Sequence, residues 1–179
     1  MVRPGNAFVG LIAATLFIAP QSALAEDSSA VMVTATNPVA IHKLLTEASM
    51  EAELQSHSDS NQPASITIQT EAGGSDIVMS DCDDAIPDFC ETIILSTGWD
   101  LDEPMTAEQV AKVNASFPYV SVYLDDEGDP YVHWAIVTGT EGIPGPVFLK
   151  ALSRYIEVAT GFAEYVGDPV AYFAEDTEE

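Results

Sequence analysis

Basic residues are scarce in this chain, in which five lysines and arginines stand against 29 aspartates and glutamates, giving a formal charge of −24 at pH 7. A surface of this sign repels phosphate backbones and anionic lipid head groups. The composition therefore excludes nucleic acid as a partner. It leaves open a basic polypeptide partner, divalent cations, and the simpler role of keeping the protein dissolved in a salty medium.

Long hydrophobic runs are also missing. The apolar run from Ala7 to Ala19 has 13 residues, whereas a transmembrane helix needs roughly 20. Arg3 precedes this run and Ala23-Leu24-Ala25 follows it, which is the layout of a secretory signal, so we expect cleavage between Ala25 and Glu26. The mature chain, without a membrane span, is expected in the periplasm or among secreted proteins.

Cysteine occurs only twice, at Cys82 and Cys90. Two cysteines do not complete a four-ligand zinc site, and their spacing is not the CxxC of redox motifs. Because exported proteins meet an oxidising environment, we predict a disulfide between them. Closing this loop is worth roughly 2–3 kcal/mol in the chain-entropy model; a reactive thiol is the alternative.

The common catalytic motifs are absent: the sequence has no GxSxG elbow, HExxH helix, P-loop or GxGxxG turn. Three histidines, His42, His57 and His133, are available as imidazole bases. We expect His42 on a solvated helix surface and His133 on a strand surface. The sequence therefore predicts a protein that is not an enzyme and that needs no cofactor.

Acidic side chains cluster in the cysteine loop, at Asp81, Asp83, Asp84 and Asp88, and again in the turn at 125–129. Calcium prefers several oxygen ligands, although neither loop has EF-hand spacing. Turn chemistry alone explains the second cluster. A calcium site formed by the four loop aspartates is the alternative function, in which the protein binds or senses a divalent cation in the cell envelope.

Three helices are predicted from periodicity and capping residues. The first begins at Asn37-Pro38 and ends near Met50; the second begins at Thr106, with a capping box to Gln109, and ends near Ser116. The last opens at Gly145-Pro146 and is the most amphipathic. Its apolar residues recur at spacings of four and three: Phe148, Leu152, Tyr155, Ala159 and Phe162.

Strands are predicted at 52–57, 65–70, 76–80, 92–97, 120–124 and 131–138, the last two joined by a glycine-containing turn. Strand and helix do not alternate strictly, so we predict an α+β fold with an antiparallel sheet of five or six strands and helices mainly on one face. The expected organisation is a signal peptide at 1–25, a polar lead at 26–36, one domain at 37–166 and an acidic, disordered tail at 167–179.

Two segments resemble YbjN-domain proteins, especially their exported bacterial members. The first runs from Ser80-Asp81-Cys82 through Cys90 to the Ser-Thr-Gly-Trp-Asp sequence ending at Asp100, and the second is the Leu-Asp-Asp-Glu-Gly-Asp-Pro turn at 124–130. The resemblance covers about Asn37 to Phe162. It implies a fold similar to type III secretion chaperones and a regulatory or chaperone-like homodimer that binds another protein. An exported interaction module is therefore the leading hypothesis.

Overall fold

The computed structural model describes residues 31–56, 62–83, 86 and 89–168. Within them, strands β2 to β7 form one antiparallel sheet in the order β2-β3-β4-β5-β7-β6, and β1 pairs with β8. The predicted α+β class and antiparallel sheet are confirmed. The elements are β1 (Met32–Val33), α1 (Pro38–Glu47), β2 (Ala52–Gln55), β3 (Ser65–Thr70), β4 (Gly73–Cys82), β5 (Cys90–Gly98), α2 (Ala107–Ser116), β6 (Ser121–Leu124), β7 (Pro130–Val137), β8 (Ile143–Pro144) and α3 (Gly145–Gly167).

One face of the six-stranded sheet forms the core. Alternation along the strands puts Ile66, Ile77 and Leu95 opposite one another in the register, and all three are buried. The buried side chains of the three helices, apart from Val158, belong to the same apolar cluster. The helices therefore pack on this face, which we call the helix face; the opposite face of the sheet is called the outer face.

Helix α3 supplies most of the helical contribution to the core. The predicted stripe of apolar residues is confirmed, because Phe148, Leu152, Tyr155, Ala159 and Phe162 are all buried. Although α3 has 23 residues, no helix in the described part of the chain is both long and apolar enough to cross a bilayer.

The helix starts follow the predicted capping chemistry. The Asn37 side chain accepts a hydrogen bond from the Ala40 backbone N–H at 3.0 Å at the start of α1. Thr106 and Gln109 form the complete capping box of α2, which ends at Ser116 as predicted. These local interactions satisfy backbone donors that a helix leaves free at its first turn.

Two features of the sheet differ from the predictions. Strand β4 begins at Gly73, three residues before the predicted start, because the chain reverses over Glu71 and Ala72 and Gly73 takes a positive φ of 106°. The small β1–β8 sheet has no counterpart among the predicted elements. It places Val33 in the core, where the next apolar residue, Ala35, is held by a hydrogen bond from its backbone N–H to Thr138 Oγ1.

A chain of buried hydroxyl groups crosses the core between the sheet and α3. Ser75 Oγ lies 2.7 Å from Thr97 Oγ1, which lies 2.8 Å from the Tyr155 hydroxyl, and that hydroxyl donates to the Val132 carbonyl at 3.1 Å. Burial raises the pKa of Tyr155 far above its usual value of 10, with a smaller opposing effect from the Thr97 hydrogen bond. The phenol therefore stays protonated and fixes α3 against the sheet.

We predict that Tyr155→Phe lowers the free energy of unfolding by about 1–2 kcal/mol, because it leaves buried polar partners without a hydrogen bond while keeping the ring. Urea denaturation measures the change. Tyr119→Phe is the matched control, since Tyr119 is 68% exposed, and a change within about 0.5 kcal/mol is expected there. Equal losses in the two variants would contradict a stabilising role for the Tyr155 hydroxyl.

Candidate functional site

The cysteine loop joins the two central strands of the sheet. Cys82 ends β4 and Cys90 begins β5, and the two residues are register partners joined by a disulfide. Inside the loop, the Asp83 N–H donates to the Phe89 carbonyl at 2.9 Å. The cross-link therefore closes the hairpin at the point where strand pairing ends.

Two of the four candidate calcium ligands are described, and both make hydrogen bonds within the protein. Asp81 Oδ2 accepts from Thr92 Oγ1 at 2.5 Å, and Asp83 Oδ1 accepts from the Ile86 N–H at 3.2 Å. The other two, Asp84 and Asp88, lie outside the described residues. Within the described part of the chain, no group of three or more histidine, cysteine or acidic residues is arranged to hold a metal ion. A calcium site in this loop stays a prediction.

The acidic hairpin tip between β6 and β7 is organised by its own carboxylates. Asp125 Oδ1 accepts from the backbone N–H groups of Glu127 and Asp129, both at 2.9 Å. Gly128 has a positive φ of 88° and donates to the Asp125 carbonyl at 3.2 Å. The predicted glycine-containing turn is confirmed, and these contacts assign Asp125 a structural role.

The two described histidines both make contacts within the fold. His42 Nε2 is 3.1 Å from the Ala52 carbonyl, so this side chain connects α1 to the edge strand β2. The side chain is half-buried and remains partly exposed to solvent. His133 lies on the outer face, and its Nε2 is 3.0 Å from the Tyr123 hydroxyl. His57 falls outside the described residues.

An aromatic cluster surrounds His133 on the outer face. The Tyr123 and Tyr131 rings stack with centroids 5.4 Å apart, and the His133 ring meets Tyr123 edge-on at 4.6 Å. Burial lowers the pKa of His133 below its usual 6.5 and raises the pKa of Tyr123 above 10. The His133 and Tyr123 side chains are therefore neutral at pH 7. Tyr131 covers Gly98, where an added Cβ would lie only 2.5 Å from the ring, so the Tyr131 ring packs directly on the backbone.

A groove of about 570 Å³ runs along one flank of α3. Its floor is apolar, its exposed rim carries three carboxylates, and no lysine or arginine lines it. We call it the acidic groove; its lining residues are Met50, Glu71, Leu149, Leu152, Ser153, Ile156, Glu157, Thr160, Gly161 and Glu164.

A second groove, of about 730 Å³, lies on the opposite flank of α3 and has a different character. Tyr119, whose backbone has a positive φ of 76°, stacks on Trp134 with centroids 5.8 Å apart. Lys150 and Arg154 also line this groove, and Arg154 Nη1 contacts Glu157 Oε2 at 2.6 Å. Ser153 and Glu157 line both grooves, whereas Lys150 and Arg154, two of the chain's five basic residues, line only the second.

Neither groove was predicted from the sequence, but one signal for the acidic groove is visible there. Leu149 and Ile156 lie seven residues apart and beside the main buried stripe, each half-buried in the structure. Glu157 and Glu164 follow at the same spacing. A second, weaker apolar row bordered by acids therefore marks the flank of α3, whereas the approach of Met50 and Glu71 depends on the tertiary fold.

Comparison with known proteins identifies relatives of the whole domain. The family model of YbjN, described as "Putative bacterial sensory transduction regulator", matches residues 37–168. No protein in the curated set matches the chain. The fold is similar to the crystal structure of YbjN from E. coli, described as "a putative transcription regulator", with a TM-score of 0.51 and 13% identity over 73% of this chain and 92% of that one. At this identity the structural likeness establishes the fold, and the match over most of the chain shows that this protein belongs to the YbjN family.

Proposed function

We propose that this protein is an exported, non-enzymatic interaction module that binds a basic polypeptide in the acidic groove and acts as a regulatory or chaperone-like homodimer. The observation that carries the proposal is the groove itself. It combines half-buried apolar side chains, Leu149 and Ile156, with the exposed carboxylates of Glu71 and Glu164. Glu157, the third carboxylate of the rim, pairs with Arg154. The signal-like N-terminus supports the proposal of export, and a regulatory role agrees with the description of the family.

The groove suits a peptide that carries both apolar and basic side chains. Apolar anchors that fill a pocket contribute most of the affinity of protein interfaces, while charged rims contribute specificity and association rate. Leu149 and Ile156 lie on the same side of α3, two helical turns apart, which matches the apolar spacing of a peptide helix. Lysine or arginine side chains of the partner would then lie against the rim carboxylates.

The charge of the whole chain strengthens this preference. With 29 acidic residues against five basic ones, the field around the protein attracts cationic partners over roughly a Debye length of 8 Å at physiological salt. Binding should therefore weaken as salt concentration rises. An apolar ligand without charge would lack this dependence.

The test uses paired charge reversals in the mature, oxidised protein as bait for its native envelope extract. Glu71→Lys/Glu164→Lys changes the groove, and Glu127→Lys/Glu141→Lys makes the same change in charge at exposed turn positions outside it. We expect mass spectrometry to identify a basic protein whose retention falls at least about 10-fold with the groove variant. Retention should persist with the control variant and decline at high salt.

A titration with the purified partner then decides between specific and general attraction. Equal losses of affinity in the two variants would show that only net charge is recognised and would overturn the groove as the binding site. Retention of no basic protein by the wild-type bait at low salt would contradict the proposed function as a whole.

A further inference from the structure

The outer face of the sheet differs from the rest of the surface in its charge. Register pairing places its side chains in rows across the strands, and only Glu53 and Asp76 in these rows are acidic. The rows are Glu53, Thr67, Asp76, Ser96, His133 and Ser121; Gln55, Ser65, Val78, Ile94 and Ala135; Ser80, Thr92 and Val137; Gly98, Tyr131 and Tyr123; and Gln69 and Gly74.

The other 27 of the 29 acidic residues lie outside these rows. Two of them border the face: Asp81 through its hydrogen bond with Thr92, and Asp125, whose negative charge contributes to the raised pKa of Tyr123. No lysine or arginine occurs in the rows, and His133 adds no charge at neutral pH because burial lowers its pKa below 6.5. Asp76, the central carboxylate, accepts a hydrogen bond from Thr67 Oγ1 at 2.7 Å. The outer face is therefore nearly neutral on a strongly anionic protein.

Apolar and aromatic side chains concentrate on the β5–β7 part of this face. Val78, Ile94 and Ala135 lie side by side on three neighbouring strands. Val137, in the next row, is 72% exposed, and Tyr123 of the aromatic cluster is 41% exposed. Such a patch is costly to leave in water and is typical of a surface that another protein covers.

We propose that the outer face binds the outer face of a second copy of this chain, so that two sheets pack against each other around a two-fold axis. This inference rests on the homodimer of the proposed function and adds the surface that forms it. Two strongly anionic molecules repel each other wherever carboxylates meet, and contact through their nearly neutral faces keeps most of that charge apart.

The size of the face suits a stable dimer. Six strands at about 4.8 Å spacing, with rows extending about 20 Å along the strands, give roughly 600 Å² in projection. Protruding side chains increase the accessible area beyond the projection, toward the roughly 800 Å² per partner that specific complexes bury. A basic partner gains little from a face with two carboxylates, and an anionic membrane gains nothing from a face without cations.

Salt dependence separates this inference from binding at the acidic groove. Screening reduces repulsion between two anionic copies, so self-association should strengthen as sodium chloride rises from about 50 to about 500 mM. Binding of a basic partner should weaken over the same range. Sedimentation equilibrium of the mature, oxidised protein over this range measures the dimer dissociation constant directly.

Two variants test the surface. Ala135→Glu/Val137→Glu adds two carboxylates to each copy, and therefore four to the proposed interface. We expect the dimer dissociation constant to rise at least about 10-fold. Both positions are exposed, so circular dichroism should show an unchanged fold. Glu71→Lys/Glu164→Lys, outside the face, should still dimerise. A wild-type protein that stays monomeric up to high salt overturns the inference, as does a dimer that the outer-face variant leaves unchanged. A wild-type protein that dimerises but captures no basic partner would count against the acidic groove alone.

Discussion

Phe162→Ala is expected to lower the free energy of unfolding by about 3–5 kcal/mol, because it removes a fully buried ring and leaves a cavity that the core fills only in part. Phe162 lies on α3 and contacts three other rings. Its centroid is 4.9 Å from that of Trp99, 6.4 Å from that of Phe117 and 5.8 Å from that of Tyr165. The ring therefore joins the end of β5, the end of α2 and the last turns of α3.

The expected loss is large against the total stability of about 5–15 kcal/mol that small domains have. Urea denaturation followed by circular dichroism measures it. Phe162→Leu is the control, because leucine keeps most of the apolar volume, and a loss of less than about 1.5 kcal/mol is expected. A cost for alanine as small as that for leucine would contradict a central role for this aromatic cluster in holding α3 to the sheet.

The core of α3 was predictable because it depends on spacing within one segment. Five apolar residues recur at spacings of four and three, and that periodicity is sufficient to identify a buried face. The capping box of α2 was predictable for the same reason, since Thr106 and Gln109 recognise each other within one helical turn. The strands were predicted from local alternation, which also determines which residues share a face.

Features that depend on contacts between distant segments were not predictable in this way. Strand β1 has two residues and pairs with β8, more than 100 positions later in the chain, so neither strand has enough alternation to reveal itself. The outer face required the strand order and register, because Val78, Ile94 and Ala135 become neighbours only after β4, β5 and β7 pair. The acidic groove likewise needed Met50 and Glu71 to approach α3.

Acidic residues illustrate a different limit. With 29 carboxylates in the chain, close pairs and clusters in the sequence occur in almost every loop, so clustering alone does not distinguish a ligand site from a turn. The structure separates some of these roles. Asp125 organises its own turn, whereas Glu164 faces the solvent beside an apolar groove. Glu164 differs from Asp125 in having an apolar surface next to its carboxylate.

Cys82→Ser/Cys90→Ser is expected to lower the free energy of unfolding by roughly 2–3 kcal/mol, because the disulfide restricts a loop of nine residues in the unfolded chain. The folded state should change little, since β4 and β5 pair along most of their length without the cross-link. We therefore expect a lower urea midpoint with an unchanged far-ultraviolet circular dichroism spectrum.

Reduction of the wild-type protein supplies the matched control for this prediction. A reducing agent should lower the stability of the wild-type protein to about that of the double variant and should leave the double variant unaffected, because the chain has no other cysteine. If the double variant were as stable as the oxidised protein, the disulfide would contribute nothing to folding. A third outcome is that the double variant loses stability whereas the wild-type protein keeps its stability on reduction. The loss would then come from the serine side chains beside Thr92 and Asp81 at the end of the hairpin, and not from the missing disulfide.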